Sequence, residues 1–246
     1  MNCSKTIMDC LKPYLENLGL QFTDEQMEAL GGLGVNLLAD PLYGSVSKIF
    51  DPQEIATKHI LDSLSPLSFK RECWEKINTI LDLGTGGGFP ALPLAIAFPQ
   101  KMIYALDAKG KSVDFVERIK VAGGIKNLKT ILGRAEELGR QKDFREKMDL
   151  VVCRAVAPVR VLIEICLPLV KIGGFALFYK GPTLKAEIAE ANKAFHLLAI
   201  KPQEMELFFL SPPILPFERG YVLISKKSAT PHAYPRRNGM PASQPL

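Results

Sequence analysis

From residue 79 onward the chain alternates short β-rich runs with segments of helix length, and this alternation restricts the folds open to it. Thr79–Leu83, Met102–Asp107, Leu128–Leu132, Met148–Cys153 and Phe175–Lys180 read as strands. Helical spacing fills roughly 90–98, 110–122, 134–139, 158–171 and 183–194 between and after them. A strand that is followed by a helix and then by another strand joins its neighbour in parallel, so helices are expected on both faces of the sheet. Two further strands, Met205–Leu210 and Gly220–Ser225, have no helix between them and read as an antiparallel hairpin at the sheet edge. The expected fold class is α/β, with a doubly wound, seven-stranded, mostly parallel sheet.

Residues 1–75 follow another rule. Ile7, Leu11, Leu15 and Leu18 recur on one helical face, and Thr23 with Gln26 forms a capping box for a second helix. Three regions are therefore expected: an N-terminal helical extension (1–75) packed on the core, a sheet domain (76–228), and a flexible basic, proline-rich tail (229–246). At 246 residues and 47% hydrophobic, the chain can bury a full core.

The net charge of +5 divides unevenly. Residues 1–75 carry 6 basic and 11 acidic side chains, 76–224 carry 21 and 15, and 225–246 carry 4 basic and no acidic ones. A basic sheet domain and a basic arm beside an acidic helical region suit docking onto nucleic-acid phosphates. The tail is expected to serve that docking and to leave small-ligand affinity untouched.

The five cysteines form no C-x-x-C pair and have no histidine at zinc-finger spacing, which argues for a reduced, cytoplasmic setting and no metal. Lys5, Asp9 and Lys12 interrupt any signal-peptide stretch. Arg154, Arg160 and Glu164 interrupt the most apolar run, Leu150–Val170, so no membrane span is expected.

Ile80-Leu81-Asp82-Leu83 leads directly into Gly84-Thr85-Gly86-Gly87-Gly88-Phe89-Pro90, ahead of a helix. A glycine run there lets the backbone approach a ligand closely at the C-terminal edge of the sheet. The run Gly86-x-Gly88-x-x-Ala91 with Asp107 also fits a dinucleotide site. Asp82 favours another ligand: a pyrophosphate wants no extra negative charge nearby, whereas the ammonium and sulfonium of S-adenosylmethionine suit a local carboxylate. Asp107, ending the second strand, can accept both ribose hydroxyls. After the third strand, the backbone at Ala135 and Glu136 can hydrogen-bond an adenine ring.

Arg154 ends the fourth strand and is expected to face the cofactor carboxylate or an RNA phosphate. Lys180, at the neighbouring strand end, is a phosphate contact. No Asn-Pro-Pro-Tyr or Asp-Pro-Pro-Tyr run follows the fourth strand, and no Pro-Cys pair offers a thiolate nucleophile. A methyl acceptor that is already nucleophilic, such as guanine N7, fits those absences.

Several segments together resemble one family. Asn36-Leu37-Leu38, Lys58-His59-Ile60-Leu61-Asp62-Ser63, the run Asp82 to Pro90, and Leu106-Asp107 through Lys111 occur in its order. Cys153-Arg154-Ala155, Tyr179-Lys180-Gly181 and the ending Tyr234-Pro235-Arg236-Arg237 through Pro245-Leu246 continue the likeness. The chain resembles the bacterial 16S ribosomal RNA guanine-N7 methyltransferases, a family also known as glucose-inhibited division protein B, over nearly its whole length. Ala91, Gly87 and Asn36-Leu37-Leu38 depart from the family's usual residues.

The resemblance implies a single-domain S-adenosylmethionine-dependent enzyme with a Rossmann-like sheet that methylates N7 of one guanine in 16S ribosomal RNA, free or in the small subunit; a cytoplasmic setting and a monomer are expected beside it. Carried over by position, Gly84, Phe89, Ala135, Glu136 and Arg154 contact the cofactor and Asp107 holds its ribose, with Gly86 and Gly88 completing the loop. Lys109, Lys111, Lys180, Arg236 and Arg237 are the expected RNA contacts. His59 and Arg154 are the catalytic candidates, with His59 alternatively a packed histidine bonded to Asp62 or a helix end. Two other readings remain open: a nicotinamide-dependent oxidoreductase, and a non-catalytic RNA-binding assembly factor on the same fold.

Overall fold

Seven strands form one sheet in the order β3-β2-β1-β4-β5-β7-β6 in a computed structural model that describes residues 2–246. They are β1 (Thr79–Leu83), β2 (Met102–Asp107), β3 (Leu128–Leu132), β4 (Met148–Arg154), β5 (Val170–Lys180), β6 (Met205–Leu210) and β7 (Arg219–Ser225). β1 lies parallel to both β2 and β4, with Ile80 opposite Ile103 on one side and Leu150 on the other. The strand order reverses between β1 and β4, which opens a crevice at their C-terminal ends. β7 runs antiparallel between β5 and β6, so the expected hairpin is present.

The central strands read as unbroken apolar runs because both their faces are covered. On one face, Ile80, Val152 and Leu177 share a core with Leu11, Leu37 and Ile60 of the N-terminal region. On the other, Leu81, Val151 and Phe178 pack with Leu162, Cys166 and Phe195. The helix expected over 158–171 stops at Cys166, because β5 already begins at Val170. The helix expected over 183–194 is two short ones, Leu184–Glu190 and Asn192–Leu197. Among the described residues no helix is long and apolar enough to cross a membrane.

α1 (Cys3–Asn17) buries Ile7, Leu11 and Leu15 against α2 (Asp24–Ala39). The capping box forms as expected: Gln26 N–H donates to Thr23 Oγ1 at 3.2 Å and Thr23 N–H to Gln26 Oε1 at 3.0 Å. Gly31 sets the closeness of the pair, since a Cβ there would lie 2.9 Å from the Ser4 carbonyl. Beyond α2 come a short helix, Tyr43–Val46, and a helical segment, 52–68, that includes a π-helical stretch at Ile55–Leu61.

The tail differs from expectation. Residues 229–246 lie along the sheet domain and end in a helical turn, Met240–Ser243. Arg145 donates to the carbonyls of Thr230 (2.8 Å) and Tyr234 (2.9 Å), and Arg140 donates to that of Pro235 (2.7 Å). Arg236 forms a two-pronged pair with fully buried Glu164, at 2.8 and 2.7 Å. Composition suggested flexibility because the tail has few large apolar side chains; it is held by arginines that grip its backbone carbonyls, by the Arg236–Glu164 pair, and by Tyr234 and Leu246 packed on the core.

Candidate cofactor cleft and substrate face

A cleft of about 530 Å³ opens at the C-terminal ends of the strands, at the crevice set by the strand order. Its floor is the glycine loop. Gly84 and Thr85 both donate their N–H to the Leu106 carbonyl, at 2.8 and 3.0 Å, which ties the loop to the end of β2. Gly84 has φ +76°, and a Cβ there would lie 2.5 Å from Val156 Cγ2, so the turn admits no side chain. Gly86 (φ +56°) also lines the cleft, and a Cβ there would meet nothing nearer than 4.0 Å, leaving its backbone open to a ligand.

Asp107 joins two loops across this floor. Its Oδ2 accepts the Gly86 N–H and its Oδ1 the Lys109 N–H, each at 2.9 Å. Each carboxylate oxygen keeps a second acceptor site, and the residue borders the cleft, so a fixed pair of acceptors stands ready for a diol. At the start of the helix Ala135–Leu138, the N–H groups of Ala135 and Glu136 make no bond among the described residues, and both residues line the cleft. Buried Val161 and Ile165 supply apolar wall beside them.

Asp82 plays a different part from the one its sequence position suggested. It is fully buried beneath the loop and does not border the cleft; its Oδ2 accepts the Ala91 N–H at 3.1 Å at the start of the helix Ala91–Ala97. Its Oδ1 has no hydrogen-bond partner. Burial pushes its carboxyl up to about 6. The helix end that would receive a pyrophosphate in a dinucleotide site is thus occupied by the chain's own acid.

Beside the cleft, Asp62 is fully buried and holds two arginines. Its Oδ2 accepts Arg154 Nη1 at 2.8 Å and Arg219 Nη2 at 3.0 Å, while its Oδ1 accepts Arg219 Nε at 2.6 Å. Arg154 also donates to the Lys58 carbonyl at 3.1 Å. The Arg154 and Arg219 side chains keep 15% and 32% of their surface exposed, against 0% for Asp62. One carboxylate facing two guanidiniums leaves a surplus positive charge, held rigidly at a partly open surface.

His59 packs into the same cluster. Its ring stacks on Phe89 with centroids 4.3 Å apart, and the Arg154 guanidinium lies over that same Phe89 at 5.5 Å. Nε2 is bonded to Ser47 Oγ at 3.0 Å, and Nδ1 is buried without a partner. Burial, reinforced by the Arg154 charge, lowers the imidazole to about 4, so it is neutral near pH 7. Of the two partners expected for a packed His59, Asp62 is not bonded to it; the arginines take that carboxylate.

Of the residues expected at the cofactor, Gly84, Gly86, Asp107, Ala135 and Glu136 meet along the cleft, whereas Gly88, Phe89 and Arg154 lie outside its walls. Gly88 is needed for packing, because a Cβ there would strike Leu92 and approach Val116. Lys109 and Lys111, expected at RNA, border the cleft. Lys180 is paired with Glu187 at 2.7 Å and the Ala157 carbonyl at 3.0 Å, and Arg236 with Glu164, so neither presents an unpaired cation to RNA; Arg237 is exposed. No sequence signal marked Arg219 as Asp62's partner, nor Ser45, Val46, Pro241 and Ala242 as cleft walls. Asp62 did leave one signal, as a lone acid within the apolar run Ile60–Leu64.

A family model described as rRNA small subunit methyltransferase G (GidB) matches residues 45–211. The ribosomal RNA small subunit methyltransferase G of Clostridium novyi is 37% identical over 248 residues, covering 100% of both chains. The protein of the same name from Lachnoclostridium phytofermentans is 38% identical over 232 residues, 94% of each chain. That from Brevibacillus brevis is 35% identical over 228 residues, 93% of this chain and 94% of its own.

Proposed function

The chain belongs to the rRNA small subunit methyltransferase G family, and from that membership we infer that it methylates N7 of a guanine in 16S ribosomal RNA, using S-adenosylmethionine. The observation that carries the cofactor is Asp107, which braces the glycine loop with one acceptor site of each oxygen and offers the others to the cleft. The donor set fits a nucleoside: acceptors for a ribose diol, two unbonded amides for a base, and an open backbone at Gly86. The occupied helix end under Asp82 argues against the nicotinamide dinucleotide alternative.

S-adenosylmethionine supplies a methyl group on a sulfonium, which leaves as a neutral thioether. The chain's task is alignment. Guanine N7 has an in-plane lone pair and no proton to remove, so no side chain must act as base, and a neutral, buried His59 agrees with that. The purine gains positive charge as the bond forms, so surplus guanidinium charge is better used on a phosphodiester than against the base. Arg154 and Arg219, fixed by Asp62, supply that contact, with Arg237, Lys109 and Lys111 adding weaker attraction. The protein acts in the cytoplasm, as a monomer, on the RNA or on the small ribosomal subunit.

The test is transfer of labelled methyl from S-adenosylmethionine to unmodified 30S subunits and to 16S RNA, with the product nucleoside identified by mass spectrometry. Label is expected in 7-methylguanosine. Transfer to neither substrate would leave a non-catalytic RNA-binding factor as the better account.

A further inference from the structure

We propose that the C-terminal tail is part of the cofactor site, with residues Gly239–Ala242 forming one side of a slot for the purine ring of S-adenosylmethionine. Pro241 and Ala242 line the cleft together with Val161 and Ile165. The unbonded N–H groups of Ala135 and Glu136 belong to the same cleft. Apolar walls with two amide donors suit a flat heteroaromatic ring: the walls take its faces or edges and the amides its ring nitrogens. This inference rests on the cofactor reading above and extends it to a segment outside residues 45–211.

The tail does more than touch the slot. Glu136 Oε1 accepts the Gly239 N–H at 3.0 Å, and Glu137 accepts from Asn238, so the tail clamps the same short helix whose first amides face the cleft. Upstream, Arg236 is locked to Glu164 on the helix Val159–Cys166, the helix that carries Val161 and Ile165. Arg236 Nη2 also donates to the Gln244 carbonyl at 2.8 Å, which closes the tail into a loop with residues 239–242 inside it. The anchors on Glu136, Glu137 and Glu164 thus fix the tail to two helices that already form walls. A segment devoted to RNA would have little need for contacts on that side, and its one clearly paired arginine is turned inward.

Removing residues 239–246 keeps the Arg236–Glu164 pair while deleting the wall. Calorimetry with S-adenosylhomocysteine and with adenosine should show both binding about tenfold or more weakly to the truncated chain, about 1.4 kcal/mol or more. A parallel loss for adenosine assigns the effect to the nucleoside end of the cleft. Affinity within twofold of the full chain, with circular dichroism and melting temperature preserved, would overturn the proposal. If truncation unfolds the protein, Ala242→Trp in the full chain asks the same question: bulk at that position should fill the slot and cost comparable affinity, and unchanged binding would overturn the proposal. Failure of the full-length chain itself to bind S-adenosylhomocysteine is a different result, which defeats the cofactor reading instead.

Discussion

The cleft and the arginine face beside it are built from different materials. The cleft is made chiefly of backbone: glycines at positive φ, amides of Ala135 and Glu136, and one carboxylate braced by two N–H groups. The arginine face is made of side chains: a buried acid, two guanidiniums, and a histidine stacked on a phenylalanine. Backbone groups are positioned by the fold itself once the strand order is set. Side-chain charges stay in place only while every partner is present, so the arginine face should be the more fragile of the two.

The largest effect is expected at Asp62. Asp62→Ala leaves two part-buried guanidiniums without their anion and should cost about 3–5 kcal/mol of stability, measured by urea unfolding. Asp62→Asn keeps the shape and loses the charge. Methyl transfer to RNA should then fall about 100-fold in kcat/KM, the scale of a displaced positioning group. Cofactor affinity should hold within a few fold. An equal fall in cofactor affinity would erase the division between the two regions and return Arg154 to the cofactor.

The complementary change is Asp107→Ala. It removes the acceptors of the Gly86 and Lys109 amides together with the proposed ribose contacts, and should weaken S-adenosylmethionine by about tenfold or more. RNA binding without cofactor should be unchanged in a filter assay at matched salt. If Asp107→Ala lowers RNA affinity by as much as it lowers cofactor affinity, the two regions act as one.

This difference in material also explains what the sequence revealed. All seven strands and the residues Gly84, Gly86, Asp107, Ala135 and Glu136 were legible because each lies at a strand end, where the alternation of elements already places it. The Asp62 cluster was not legible, because its partners stand 92 and 157 residues further along the chain. The tail defied its composition for a related reason. Its anchor Glu164 appeared only as a charge interrupting an apolar run, whereas a charge inside such a run announces a buried partner. Asp82 stood in the expected place with another duty: strand position fixed where it lies, and burial turned it toward the Ala91 amide.

The smallest expected effect follows from one buried titrating group in each region. His59, beside the arginines, has a folded pKa of about 4 against an ordinary 6.5, so between those values the unfolded chain binds more protons. Its contribution to stability is present above pH 6.5 and is lost as pH falls toward 4. Asp82, under the glycine loop, is raised from 3.8 to about 6, so there the folded chain binds more protons and stability is lost as pH rises through that window. From pH 4 to 6 the two slopes oppose each other. Replacing one group changes the slope by at most about 1.4 kcal/mol per pH unit. Relative to the parent protein, His59→Gln should make stability fall more steeply, or rise less, with increasing pH, and Asp82→Asn should do the reverse. Urea titrations across the window read both, and the other carboxylates cancel in the difference from the parent curve. An unchanged slope in either variant would show that its group keeps its ordinary titration in the folded chain.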